Sequence, residues 1–265
     1  MGHRILGVKD LTTGSFRRYL ASPNNSNEAG TAYVVYGGKG ITSIDLASLS
    51  SNRGFSVYGS NSFDNLGASI SAVGDFNGDG FADIALGSPQ GSPNSKTSSG
   101  KIYLIFGNAH QKNIDLSEPF AKNNVIEIDG ANAGDSFGFS LSGGGDFNQD
   151  SYADLIASAS DASDNSRINS GTTYIIFGKP NPQNLNLAYF NVSDGIKIYG
   201  ANAGDFSGST AANGGDYNCD GKPDLLIGSP FASPSPLRTQ AGIIYILTGH
   251  NFTSDIDLAQ MNPQM

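Results

Sequence analysis

Three stretches of this sequence place oxygen-bearing side chains at one fixed spacing. Asp75, Asn77, Asp79 and Asp83 form the first set, Asp146, Asn148, Asp150 and Asp154 the second, and Asp216, Asn218, Asp220 and Asp224 the third. In each, the oxygens stand at positions 1, 3, 5 and 9 of a nine-residue segment. Ca²⁺ is a hard cation that takes six to eight oxygen ligands at about 2.3–2.6 Å. A tight loop of this pattern can turn four side chains and one backbone carbonyl onto such an ion. Position 7 (Phe81, Tyr152, Lys222) varies freely, as suits a residue that offers only its carbonyl. Position 6 is Gly80 and Gly221 in two loops, where a sharp turn favours positive φ, and Ser151 in the middle loop, which should strain or weaken that site. Asp, Asn and Gly also favour turns without any metal. Three copies argue against a bare turn, because each would hold three like charges together with no counter-ion. Nine of the 24 acidic residues lie in these loops, so three Ca²⁺ ions would take the net charge from −9 to about −3. Cys219, at position 4 of the third loop, is the single cysteine and is expected to point away from the ion.

The elements that position these loops emerge from a repeat. The run Gly30–Gly37 recurs as Gly100–Gly107, Gly171–Gly178 and Gly242–Gly249, each with Tyr at its fourth place, in steps of 70, 71 and 71 residues. Ile44-Asp45-Leu46, Ile114-Asp115-Leu116, Leu185-Asn186-Leu187 and Ile256-Asp257-Leu258 keep step. Each full period predicts four short strands; in the second they are Gly67–Val73, Ile84–Gly87, Ile102–Phe106 and Val125–Ile128. Four strands per repeat is the blade of a β-propeller. No 3.6-residue apolar periodicity is sustained, and Gly, at 35 residues or about 13%, exceeds its usual level of ~7%. The fold class is therefore all-β, one domain over 1–265 with blades at roughly 1–59, 60–130, 131–200 and 201–265. The first copy is eroded: Lys9–Arg17 stands where an acidic loop should be and offers Asp10 alone, between strands expected around Arg4–Leu6 and Arg18–Leu20. The last blade has strands expected at Gly208–Gly215, Leu225–Gly228 and Ile243–Leu247 but no outer strand. An open arc, or its self-association through the incomplete terminal blades, is expected.

The acidic loop, the preceding Phe137-Gly138, the following Gly87–Pro89 and Gly228–Pro230, and the closing Gly-x-x-Tyr-x-x-x-Gly strand together resemble the FG-GAP repeat of integrin α-subunit propellers. The repeat also occurs in bacterial surface proteins and in glycosylphosphatidylinositol-specific phospholipase D. The resemblance implies that the loop joins the innermost strand of a blade to the next, and that one Ca²⁺ sits in each of three loops. Its ligands would be Asp75, Asn77, Asp79, the Phe81 carbonyl and Asp83; then Asp146, Asn148, Asp150, the Tyr152 carbonyl and Asp154; then Asp216, Asn218, Asp220, the Lys222 carbonyl and Asp224. Leu66-Gly67 and Ser207-Gly208 depart from the Phe-Gly pair, Ala157–Ala159 replaces the Gly-x-Pro turn, and the chain carries about four repeats where integrins have seven.

Function classes narrow accordingly. No clustered Lys and Arg make a nucleic-acid face, Arg17-Arg18 reading as a solvated edge. No apolar run reaches 18 residues, so no membrane span is expected. The start, Met1 to Gly7, lacks the apolar core of a secretion signal, so an extracellular or cell-surface placement needs a signal outside this chain. No Gly-x-Ser-x-Gly elbow, phosphate loop or His box is present, so no catalytic residue is assigned. Asp64, Asp135 and Asp205 repeat before each inner strand and are expected to satisfy turn amides rather than form a glycosidase pair. His110 and His250 are expected to face solvent, and Asn24, Asn191 and Asn251 begin glycosylation triplets. The leading expectation is a calcium-stabilised scaffold for a protein or cell-surface ligand, met by the variable segments Gln90–Ser99, Asp161–Ser170 and Phe231–Gln240. A propeller glycosidase or lyase, or an accessory module of a larger enzyme, is the alternative.

Overall fold

The structure is a computed structural model that describes residues 29–37, 43–118, 124–249 and 254–261. The expected strands at Arg4–Leu6 and Arg18–Leu20, the eroded loop Lys9–Arg17, and Asn24, His250 and Asn251 lie outside these residues. The described chain is all-β. Its strands are β1 (Thr31–Val35), β2 (Gly54–Tyr58), β3 (Ser69–Gly74), β4 (Asp83–Ser88), β5 (Lys101–Ile105), β6 (Ile114–Asp115), β7 (Val125–Asp129) and β8 (Phe137–Gly145). These continue as β9 (Asp154–Ala159), β10 (Thr172–Ile176), β11 (Leu185–Asn186), β12 (Gly195–Tyr199), β13 (Thr210–Asn213), β14 (Leu225–Ser229), β15 (Ile243–Leu247) and β16 (Ile256–Asp257).

They form four sheets, ordered β1-β2-β6, β3-β4-β5-β7-β11, β8-β9-β10-β12-β16 and β13-β14-β15, which are blades of a β-propeller. Neighbours within a blade pair antiparallel, for instance Ile84 with Ile105 and Lys101 with Asp129. The four strands expected in the second period are all found, within two residues at each end. A fifth element was not expected as pairing. The Ile-Asp-Leu segments leave their own blade and pair in parallel with the outer strand of the preceding one: Ile114 with Val57, Leu185 with Ile128, Ile256 with Ile198. Just before each, a side-chain oxygen caps that same outer strand: Asn113 Oδ1 accepts from the Ser56 amide, Asn184 Oδ1 from Glu127 and Asp255 Oδ1 from Lys197. Each blade is thereby clipped to its predecessor.

The cores lie between blades. Between the second and third, Phe76, Ile102, Leu104, Ile126 and Ile128 meet Phe137, Leu155, Ala157, Tyr174 and Ile176. Strands β5 and β10 are buried along their whole length because each of their faces meets a neighbouring sheet, which is why they read as continuous rather than alternating apolar runs. The glycine that opens the Tyr strand is fixed by this close stacking. Gly171 has φ +80°, and a Cβ there would lie 2.0 Å from the Ser207 carbonyl oxygen of the next blade; Gly100 repeats this against Phe137 at 2.1 Å. The Phe-Gly departures leave the backbone unchanged. The amides of Leu66, Phe137 and Ser207 donate alike to the carbonyls of Ala29, Ser99 and Ser170.

Candidate metal loops and the opposite loop face

Each acidic loop joins an innermost strand to the next: β3 to β4, β8 to β9, β13 to β14. The 90–99, 161–170 and 231–240 segments join β4 to β5, β9 to β10 and β14 to β15, so they emerge at the opposite ends of the same sheets. The fold therefore separates an acidic face from a variable face.

The three acidic loops close by the same hydrogen bonds. In the first, Asp75 Oδ1 accepts from the Asp79 amide at 3.0 Å and Oδ2 from the Gly80 amide at 2.9 Å. Asn77 Oδ1 also accepts from the Asp79 amide, and Asp79 Oδ1 accepts from the Phe81 amide. Asp146, Asn148 and Asp150 repeat the set, as do Asp216, Asn218 and Asp220. Short acidic side chains bend the chain around themselves in this way because an Asx oxygen reaches the amide two residues on. Position 6 does take positive φ, at Gly80 (+86°), Ser151 (+74°) and Gly221 (+83°). Ser151 is thus a non-glycine held in a left-handed conformation, while a Cβ at Gly80 or Gly221 would meet nothing. Position 4 also takes positive φ, at Gly78 (+77°), Gln149 (+61°) and Cys219 (+58°), a demand that was not anticipated. Cys219 is exposed and free.

Position 9 does more than was expected of it. Asp83, Asp154 and Asp224 are fully buried. Each carboxylate accepts one amide from position 2 of its loop and one from the glycine that ends the Tyr strand: for Asp154, Phe147 at 2.7 Å and Gly178 at 2.9 Å. Asp83 uses Phe76 and Gly107, and Asp224 uses Tyr217 and Gly249. These residues pin loop, second strand and third strand together. Burial raises the Asp83 carboxyl to about 6 and that of Asp154 to about 7; the amide donors pull both back, and the position-5 and position-1 carboxylates push them further up.

The donor set fits a hard cation: three carboxylates and an amide oxygen within nine residues, with mutual repulsion felt at position 9. An ionised carboxylate offers about four lone-pair sites. Asp75, Asp79 and Asp83 each use two, Asp79 taking Phe81 N and Asn77 Nδ2. Among the described residues, however, no three Asp, Glu, His or Cys side chains already stand close enough together to hold an ion unaided. The Asn77 amide nitrogen, now on Asp79 Oδ2 at 2.9 Å, would have to yield.

The repeated carboxylates before the inner strands belong to turns. Asp135 Oδ2 accepts from the Asn132 amide and side chain, Asp205 Oδ2 does the same with Asn202, and Asp64 Oδ2 takes the Asn61 side chain. Burial raises the Asp135 carboxyl from 3.8 to about 6 despite the Asn132 donors. A carboxyl raised in the folded state adds stability that is fully present below about pH 3.8 and is lost as pH rises through 6. Asp135→Asn is expected to flatten that part of the stability profile between pH 4 and 6, read by urea unfolding; an unchanged slope contradicts it. His110 is exposed, as expected, and Asn191 is exposed as well.

The variable loops share a frame. Ser92, Ser163 and Ser233 hydroxyl oxygens accept from the amides of Ser98, Asn169 and Gln240. On this frame Ile168, Phe231 and Leu237 are exposed, Leu237 at 96%. Among the described residues no helix is long and apolar enough to cross a membrane.

Comparison with known proteins agrees with this geometry. The FG-GAP repeat family model matches residues 66–105, 137–176 and 207–247, which are the first three strands and the acidic loop of the second, third and fourth blades. The chain is 31% identical over 191 residues to a phosphatidylinositol-glycan-specific phospholipase D of Mus musculus, covering 69% of this chain and 20% of that protein. It is 25% identical to integrin alpha-6 of Gallus gallus over 265 residues, covering 100% of this chain and 22% of that one. Integrin alpha-IIb of Mus musculus is 30% identical over 140 residues, 51% of this chain and 12% of its own length. The chain thus spans about a fifth of the length of the curated relatives it matches first. On its repeats, its loops and its sheet order, this chain is an FG-GAP repeat protein, similar to the propellers of integrin α subunits.

Proposed function

We propose that the chain is a single-domain, calcium-stabilised propeller scaffold that binds a protein or cell-surface ligand through its variable loops. One Ca²⁺ occupies each of the three acidic loops. The observation that carries the reading is the threefold recurrence of one loop conformation built from the same oxygen side chains, at residues 75–83, 146–154 and 216–224. The metal supplies the counter-charge these carboxylates lack; the chain's own part is to hold four side chains and one carbonyl per loop in place. Similarity to integrin alpha chains supports a place outside the cell or at its surface.

The ligand face is the opposite one, where Ile168, Phe231 and Leu237 stand out from hydroxyl-latched loops. Apolar side chains presented on rigid loops are what a protein partner can bury. The reading is non-catalytic, and similarity to integrin alpha chains supports it. Similarity to a phospholipase D favours a second form of the same role, an accessory module attached to a larger enzyme. Calorimetric titration with Ca²⁺ is expected to give three sites in the unaltered chain and two in Asp79→Ala. No binding at millimolar Ca²⁺ contradicts the reading.

A further inference from the structure

The first acidic loop is seated on the second. The backbone carbonyls of its first two residues both turn to the third blade. Asp75 O accepts from the Ala153 amide at 3.0 Å, and Phe76 O accepts from the Lys179 amide at 3.0 Å. Ala153 is position 8 of the second loop, and Lys179 follows the glycine that ends the Tyr strand of that blade. Gly78, at position 4 of the first loop, lies against the Tyr152 ring: a Cβ there would stand 2.4 Å from Tyr152 Cε1.

The peptide unit between Tyr152 and Ala153 therefore serves both loops. Its carbonyl belongs to Tyr152, the position-7 ligand of the second loop. Its N–H belongs to Ala153 and donates to Asp75, whose side chain is the position-1 ligand of the first loop. A trans peptide is planar and stiff, so the direction of its C=O fixes the direction of its N–H. The Asp75 carboxylate is aimed from the same backbone, with Oδ1 on the Asp79 amide and Oδ2 on the Gly80 amide. Drawing the Tyr152 carbonyl onto a cation also polarises its peptide and strengthens the N–H as a donor.

The second and third loops lack this link. Pro223 stands in the third loop at the Ala153 place, and proline has no amide hydrogen to give the Asp146 carbonyl. Gln149 stands at the Gly78 place and Lys222 at the Tyr152 place, so the contact of glycine with ring is not repeated.

We propose that Tyr152 and Ala153 are positioning residues for the first metal site, supplied by the neighbouring blade. Calcium then binds cooperatively at the first and second loops, while the third fills independently. The inference rests on the calcium reading of the loops. Coupling between sites is reciprocal and is typically 5- to 150-fold. One backbone bond and one ring contact place this pair near the lower end.

Calcium titration of the full chain, followed by the amide resonances of Gly80, Ser151 and Gly221, reads the three loops separately. Asp150→Ala, which empties the second loop, is expected to weaken binding at Gly80 about fivefold. Asp79→Ala is expected to weaken binding at Ser151 by the same factor, as reciprocity requires, and Asp220→Ala to leave both unchanged. Ala153→Pro keeps every ligand and copies the third loop's own residue. All three loops are expected to bind in it, with Gly80 no longer answering to Asp150→Ala. Calcium in all three loops with Gly80 indifferent to Asp150→Ala in the otherwise unaltered chain overturns the inference and leaves the calcium reading standing. Tighter binding at Gly80 in that variant does the same, being the mark of repulsion between ions. Coupling that survives in a folded Ala153→Pro chain also overturns it. Calcium in none of the loops overturns the calcium reading and the inference together. If Ala153→Pro fails to fold by circular dichroism, Asp150→Ala against Asp220→Ala decides alone.

Discussion

Removing Ca²⁺ is expected to lower the melting temperature by roughly 15 °C or more. A ligand that binds the native state alone stabilises it by RT ln(1 + [L]/Kd), about 2.7 kcal/mol per site at a hundredfold excess over Kd. Three loops then contribute about 8 kcal/mol, and a chain of this size shifts by about 2–4 °C per kcal/mol. Asp79→Ala is expected to remove one step of this effect, because Asp79 stands at position 5 and is exposed, holding only its own loop through Phe81 N and Asn77 Nδ2. Asp150→Ala removes a smaller step, since Ser151 already holds its loop at a φ of +74° that costs a non-glycine residue. Scanning calorimetry in calcium and in chelator measures all three. Superimposable curves for the unaltered chain would contradict the metal reading while leaving the fold untouched.

Asp154→Ala is expected to behave differently. Its carboxylate is fully buried and serves two amides, Phe147 in the loop and Gly178 after the Tyr strand. Alanine leaves both donors buried and without partners, at about 1–3 kcal/mol each. Relief of the desolvation that lifts this carboxyl to about 7 offsets part of the loss, giving a net cost of about 2–4 kcal/mol. The cost is expected with chelator present as well as with calcium, in urea unfolding. Asp150→Ala in chelator is expected to cost under about 1 kcal/mol, the scale of an exposed hydrogen bond. Position 9 thus divides from position 5: one builds the blade whether or not an ion is present, the other answers mainly to the ion. Equal costs in chelator would mean that the buried carboxylate is not the pin its hydrogen bonds describe.

That division shows how far the sequence could be read. The oxygen pattern at positions 1, 3, 5 and 9 and the 70- to 71-residue step are local, so the loops and four strands per blade were legible. The second role of Asp83 was not, because its partner amide belongs to Gly107, 24 residues along and just past the end of the next strand. Nor was the pairing of Ile114-Asp115 with Val57-Tyr58, since a two-residue strand carries no periodicity of its own. One signal was present and unread: Asn113, Asn184 and Asp255 recur just before these triplets, and each caps an outer strand about 57 residues earlier. The positive φ at position 4 was hidden because Gly78, Gln149 and Cys219 share no side-chain chemistry. Gln149 and Cys219 are carried there by the loop's own hydrogen bonds rather than by preference.

At the centre of the proposed function stands Ca²⁺ in the three acidic loops. Anomalous X-ray scattering from crystals grown with Ca²⁺, or with a heavier lanthanide in its place, tests it most directly. Three peaks are expected, one within about 2.3–2.6 Å of oxygens from residues 75–83, one at 146–154 and one at 216–224, each with the position-7 carbonyl in its shell. Crystals at millimolar calcium whose loops keep Asn77, Asn148 and Asn218 on their aspartates, with no peak among them, would contradict it.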